Sequence, residues 1–135
     1  MAVSRNASHE KAMIIIYDAL CYQNMGHEFD PRELIESIMD EAYDVVDLYV
    51  KQVVIKALIN QKVYIDKLQA KMDKWKFDRL NRLNQAILLL SLAHYYGVGE
   101  VEKAVVINVA VSLAKKYLDD NDYKFVNAIL DNVLC

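Results

Sequence analysis

Apolar residues recur every three or four positions along nearly the whole chain, a spacing that predicts helices rather than strands. Ser8 reads as the cap of a first helix with Glu10 in its opening turn, and the pattern continues to about Asn24, with Gly26 near the stop. Ala12, Met13, Ile16 and Leu20, with Ile15 and Ala19, give that helix a wide buried face. Asp30-Pro31-Arg32-Glu33 is a strong start signal: an Asp cap, Pro at the first helical position and a Glu placed to close a capping box. The second helix is expected to continue through Ala42.

From Asp44 to Ile59 the chain is apolar on most sides. Val46, Tyr49, Val50, Val53 and Ala57 fall on one stripe, and Val45, Leu48, Ile55 and Ile59 on another. Such a segment is expected to lie packed between other helices. Asn60-Gln61 interrupts weakly, and Val63, Ile65, Leu68 and Met72 predict a shorter helix ending before Trp75. Residues 75–80 then connect to a fifth helix carried by Leu83, Ala86, Ile87, Leu90 and Leu92, with Gly97 as its expected cap and Glu100 and Glu102 opening the next helix. Two further apolar patterns complete the count. Ile107, Ala110, Val111 and Ala114 form one, and Phe125 and Ile129 lead the other, with the acidic turn Asp119–Asp122 between them.

Composition agrees with this pattern. Of 135 residues 55% are apolar, and there are three Gly and one Pro, so few long breaks interrupt the helices. The fold class is all-α with about seven helices, and the absence of a repeat or linker makes residues 1–135 one domain. Cys21 and Cys135 stand far apart and read as a buried thiol and a tail thiol in a reducing compartment. No signal peptide is recognisable and the longest apolar run, Ala86–Ala93, is too short for a bilayer, so a cytoplasmic location without membrane contact is expected.

Net charge is −3, which on its own argues against a dedicated nucleic-acid binder, but the charge is unevenly spread. Residues 10–50 carry −8 and residues 51–82 carry +6. That polarisation allows a basic face on an acidic protein, or simply the solvated faces of neighbouring helices.

Catalytic signals are missing. His9, His27 and His94 lack the spacing that places two imidazoles on one helical face, and His94, in an apolar helix, reads as a structural residue with a satisfied hydrogen bond. The acids at 119–122 do not match an EF-hand loop and read as a capping turn. There is no G-x-S-x-G elbow and no glycine-rich phosphate loop, so neither enzyme nor cofactor is expected.

Function enters through the last quarter of the chain. Asn108–Tyr117 reads N-V-A-V-S-L-A-K-K-Y and Lys124–Asp131 reads K-F-V-N-A-I-L-D. These segments resemble the C-terminal signature of the NusB family of bacterial transcription antitermination factors. Trp75–Leu80 (W-K-F-D-R-L) and Ala86–Leu90 (A-I-L-L-L) resemble two further family segments, and Ala12–Tyr17 (A-M-I-I-I-Y) is a weaker match to the first helix. The resemblance implies two roughly perpendicular helical bundles in one compact NusB-like domain. It also implies pairing with NusE, a small-subunit ribosomal protein, and binding of single-stranded boxA-like RNA as part of the RNA polymerase antitermination complex. Homodimers occur in the family but are not the rule.

Carried over residue by residue, the resemblance makes Tyr17 and Phe125 the RNA-facing rings, with Arg5, His9 and Lys124 as cationic contacts and Asn121 at the RNA edge. For Phe125 the competing reading is a core anchor, since it lies one turn before Ile129. Departures thin the site: His9 stands where an arginine is common, and Asn121 where an acid is frequent. Val109 and Leu89 replace a family glutamate and arginine, a paired loss that leaves no charge orphaned. The alternative is a NusB-fold protein-interaction module that has lost RNA recognition.

Overall fold

The computed structural model describes residues 5–135. Among the described residues there are seven α-helices and no strand: α1 (Arg5–Asn24), α2 (Pro31–Met39), α3 (Leu48–Ile59), α4 (Gln61–Gln69), α5 (Arg82–Leu92), α6 (Lys103–Tyr117) and α7 (Asp122–Val133). Short 3-10 turns lie at Tyr43–Val45 and Phe77–Arg79, and α5 runs on into a π-helical segment, Ala93–Val98.

The centre of the molecule is α5. Its sequence A-I-L-L-L-S-L-A has no polar face, and every residue from Asn84 to Ala93 is buried. Ser91 satisfies its hydroxyl within the helix by donating to the Ile87 carbonyl at 2.8 Å. Helices α1, α2 and α3 pack as one group, and α6 and α7 as another with α4 beside them, with α5 shared between the two. On α1 the buried face is Ala12, Met13, Ile15, Ile16, Ala19 and Leu20, the face read from the sequence.

Helix ends follow local chemistry with several departures. Asp30 caps α2 by accepting from the Arg32 amide at 2.9 Å. That helix stops at Met39, before the expected Ala42, because Asp40 turns the chain with φ 55°. Ser8 is not a cap: α1 begins at Arg5, placing Ser8 and Glu10 beyond its first turn. Ser8 is buried and donates instead to Asp47 Oδ2 at 2.9 Å, tying α1 to the start of α3. Glu100 takes φ 54° and Glu102 is the N-cap residue of α6, so neither acid stands inside that helix.

The two stripes of α3 part company. Val46, Tyr49, Val50, Val53 and Ala57 are buried, whereas Val45, Leu48 and Ile59 are exposed and Ile55 is half-buried. The connection to α5 is pinned by side-chain amides. Gln69 donates to the Trp75 carbonyl at 2.9 Å and accepts from the Phe77 amide at 2.8 Å, and the buried Gln85 donates to the Phe77 carbonyl at 2.8 Å. Trp75 remains exposed.

Gly99, with φ 74°, ends the π-helical segment, and its amide donates to the His94 carbonyl at 3.0 Å. Gly97, expected as the cap, is required for a different reason. A Cβ there would stand 2.8 Å from Lys56 Cβ and 3.2 Å from the Tyr64 hydroxyl oxygen, so α3 and the end of α5 touch only because that atom is missing. Gly97→Ala should lower the unfolding free energy by about 1–3 kcal/mol, the usual range for overpacking, in a urea titration. An unchanged midpoint would mean that Lys56 moves aside freely.

Candidate nucleic-acid interface

The six residues singled out in the sequence fall into three places. Arg5 and His9 lie on the first two turns of α1, while Tyr17, eight residues past His9 and therefore about 12 Å further along the axis, is half-buried. Asn121, Lys124 and Phe125 occupy the N-cap and first turn of α7. The α1 and α6–α7 regions are linked by Glu10, whose carboxylate accepts from Lys116 Nζ at 2.5 Å and from the Tyr117 hydroxyl at 3.1 Å. That pairing holds the Glu10 carboxyl below its usual pKa and raises the Lys116 ammonium.

The start of α7 presents an aromatic and basic surface. Val126, Ile129, Leu130 and Val133 form the buried stripe, so Val126 rather than Phe125 leads the last helix into the core. Phe125 packs against the core yet stays half-exposed, and Asn121 and Lys124 are exposed. Beside them Lys115 Nζ lies 4.9 Å from the centroid of the Tyr123 ring. In the turn, Asp122 Oδ2 accepts from the Asp119 amide at 3.2 Å, a bond that closes the turn, whereas the N-cap residue Asn121 makes no side-chain capping bond, so the acidic run does not cap α7 as expected. Among the described residues no cluster of three His, Cys, Asp or Glu could hold a metal.

Three neighbours of these residues escaped sequence reasoning. Lys115 and Tyr123 flank the K-F-V-N segment, and their pairing needed only the helix-turn-helix geometry that the segment itself predicted. Arg82 at the start of α5 reaches Cys21 Sγ at 3.9 Å, and interaction with that half-buried thiol raises the pKa of the Tyr17 phenol. Arg82 is thus a cation near Tyr17. Sixty-one positions separate it from Cys21, so no local pattern could have announced it.

His9 departs from its expected role as a cationic contact. It is only 8% exposed, and its ring centroid lies 5.2 Å from Tyr49 and 6.0 Å from His94. The histidines separate in sequence are therefore neighbours in space. Burial, reinforced by His94 and Arg5, lowers the His9 pKa to about 4, and burial and Arg5 lower that of His94. At neutral pH His9 is uncharged. His94 meets Tyr49 edge to face, with centroids 5.2 Å apart and ring planes at 74°. Arg5 is exposed, and its guanidinium carbon lies 4.9 Å from the Tyr49 ring centroid.

Basic charge is placed unexpectedly. Most of the lysines of segment 51–82 are exposed on α3, α4 and the following loop. Lys67 of α4 lies over the Tyr96 ring, whose hydroxyl donates to the Val133 carbonyl at the far end of α7. Lys124 is nine residues, about 13 Å, from that end. Lys67 of the basic segment and the K-F-V-N turn thus sit toward opposite ends of α7.

A depressed histidine pKa means that the unfolded chain binds more protons than the folded one between pH 4 and 6.5. Stability should therefore be fully present above pH 6.5 and fall as the pH drops toward 4. His9→Gln should flatten that part of the profile of melting temperature against pH. An equal slope in the variant would remove His9 as its source.

Comparison with known proteins places this geometry in context. A model of the NusB family matches residues 7–134. The transcription antitermination protein NusB of Macrococcus caseolyticus is 30% identical over 132 residues, covering 98% of this chain and 97% of that protein. The NusB of Clostridium botulinum is 30% identical over 138 residues, covering 98% of each. Among solved structures, T. maritima NusB superposes with a TM-score of 0.82 at 22% identity, covering 98% of this chain and 92% of that one. The antitermination factor NusB from a complex with NusE and dsRNA gives 0.77 at 24% identity, with coverage of 96% and 94%. No described helix is long and apolar enough to cross a membrane. With the match running through nearly every described residue, the chain belongs to the NusB family.

Proposed function

We propose that this chain is a cytoplasmic transcription antitermination factor that, with a NusE-type ribosomal protein, binds single-stranded boxA-type RNA in nascent ribosomal transcripts and supports read-through by RNA polymerase. The observation that carries this reading is the family match over residues 7–134, shared with full-length relatives named as antitermination proteins. Function here is recognition, and no bond is made or broken.

In this reading Phe125 and Tyr17 offer ring faces to splayed bases, and Lys124 and Arg5 contact phosphates. Asn121 contributes a neutral polar edge, and Arg82, Lys115 and Tyr123 extend the surface. His9 acts as an uncharged wall behind Arg5. A second reading, a protein-interaction module with weak RNA binding, is favoured by two observations: His9 carries no charge at neutral pH and Lys116 is engaged by Glu10.

Titrating labelled boxA-type RNA, with and without a NusE-type partner, separates the two readings. Binding at low salt supports antitermination, with a log–log salt slope of roughly −1.4 to −2.1 for two or three phosphates on a single strand. No binding in either case would leave only the interaction module. Phe125→Ala should weaken RNA binding by about 1–3 kcal/mol if a base stacks on the ring. Unchanged affinity with a lowered melting temperature would return Phe125 to the core.

A further inference from the structure

Behind Arg5 lies a cavity of about 460 Å³, walled by the first turns of α1, the start of α3 and the segment joining α5 to α6. We propose that this cavity is a nucleobase pocket, taking one planar heteroaromatic ring against the edge of the His9, Tyr49 and His94 cluster, with Asp47 and Gln52 reading the ring's polar edge. The proposal rests on the RNA-binding reading above for the most direct source of the base, a strand bound along α1, α6 and α7.

Four observations carry it. The volume lies in the range of small-molecule sites, about 300–1,000 Å³. Three aromatic rings line it, packed on one another edge-on or tilted with centroids 5.2–6.0 Å apart, so an inserted base meets the outer edge of the cluster rather than a slot between rings. Tyr49 is 8% exposed, yet its hydroxyl has no partner among the described residues, an omission that costs about 1–3 kcal/mol unless something completes the bond. Finally, Asp47 lines the same wall with one carboxylate oxygen held at 2.9 Å by Ser8, which fixes the group that would accept from a base's amino or imino N–H.

The same wall argues against other occupants. Carboxylates at Asp47 and Glu100 oppose a phosphate, and among the described residues the two imidazoles find no third ligand for a metal. Neutral imidazoles, by contrast, can donate through one nitrogen and accept through the other. His94 belongs to the π-helical segment, a local irregularity of the kind that often re-aims a side chain at a functional site. Exposed at the rim, Arg5 has a planar guanidinium that can cover an inserted ring.

Position relative to the RNA surface completes the argument. His9 is also a wall of a second groove, about 310 Å³, between α1 and α6, lined by Asn6, Glu10, Asn108, Ser112 and Lys116. Lys116 lines that groove near the end of α6, and His9 is the wall it shares with the pocket. A strand lying along the groove would therefore pass beside His9.

The test uses the full chain and single-stranded RNA oligonucleotides carrying one 2-aminopurine, moved position by position. One position should show a large fluorescence change on binding. Tyr49→Phe should weaken binding about three- to tenfold, the loss of one hydrogen bond, without lowering the melting temperature, because an unpartnered hydroxyl is what it removes. Gln52→Ala, at an exposed site, should weaken binding and reduce the signal at that position alone. RNA binding with no special position and unchanged affinity in both variants would overturn the pocket and leave the RNA-binding reading standing. Titration with guanosine and adenosine, which carry no phosphate, distinguishes the sources: saturation without RNA, weakened by Tyr49→Phe, assigns the pocket to a free nucleoside. Binding of neither RNA nor nucleoside would overturn both readings.

Discussion

A helix with no polar face cannot lie at a surface, and α5 with its continuation has none from Ala86 to Ala93, so the other helices must be arranged to keep water from it on all sides. That requirement explains the two groups of helices: one covers α5 from the side of α1 and α3, the other from the side of α6 and α7. It also explains how residues far apart in sequence reach one surface. With α1 and α6 both laid on α5, their outward faces border a common groove.

Helix number and most of the buried faces were legible because each depends on the local periodicity of apolar residues. Ala12 to Leu20 on α1 and the Tyr49–Val53–Ala57 stripe on α3 were of this kind. Features set by distant neighbours were not. The Leu48–Ile55–Ile59 stripe is as apolar as its buried companion, and only the number of helices available to cover α3 decides that it stays exposed or half-exposed. Ser8 has the chemistry of a cap, but a carboxylate 39 positions away makes it a buried tether. Gly97 was expected to end the helix, but the π-helical segment carries the left-handed position on to Gly99 and leaves Gly97 against Lys56.

Site chemistry shows the same division. The Lys124–Phe125 turn could be read from adjacent residues, and the structure adds that Val126, not Phe125, carries the burden of burial. His9 and His94, with 85 positions between them, looked isolated, yet the packing of α1 and α3 against the end of α5 gathers them with Tyr49 into one aromatic cluster. Burial there changes chemical character as well as position: a residue that would be half-charged near neutrality in water becomes a neutral ring. The basic segment 51–82 is offset from the α7 turn, so net charge and candidate binding surface are separate properties of this molecule.

The link from Glu10 to Lys116 and Tyr117 joins residues 106 and 107 positions apart. During synthesis the second turn of α1 leaves the ribosome early and its partners emerge near the end, with nearly the whole chain between them. At roughly 5–20 residues per second, α1 waits on the order of 5–20 s for the helix that fixes its outward face. A factor built this way has no finished α1–α6 surface while it is being made, and a chain cut short before α6 could present the aromatic and basic residues of α1 but not the groove that orders them.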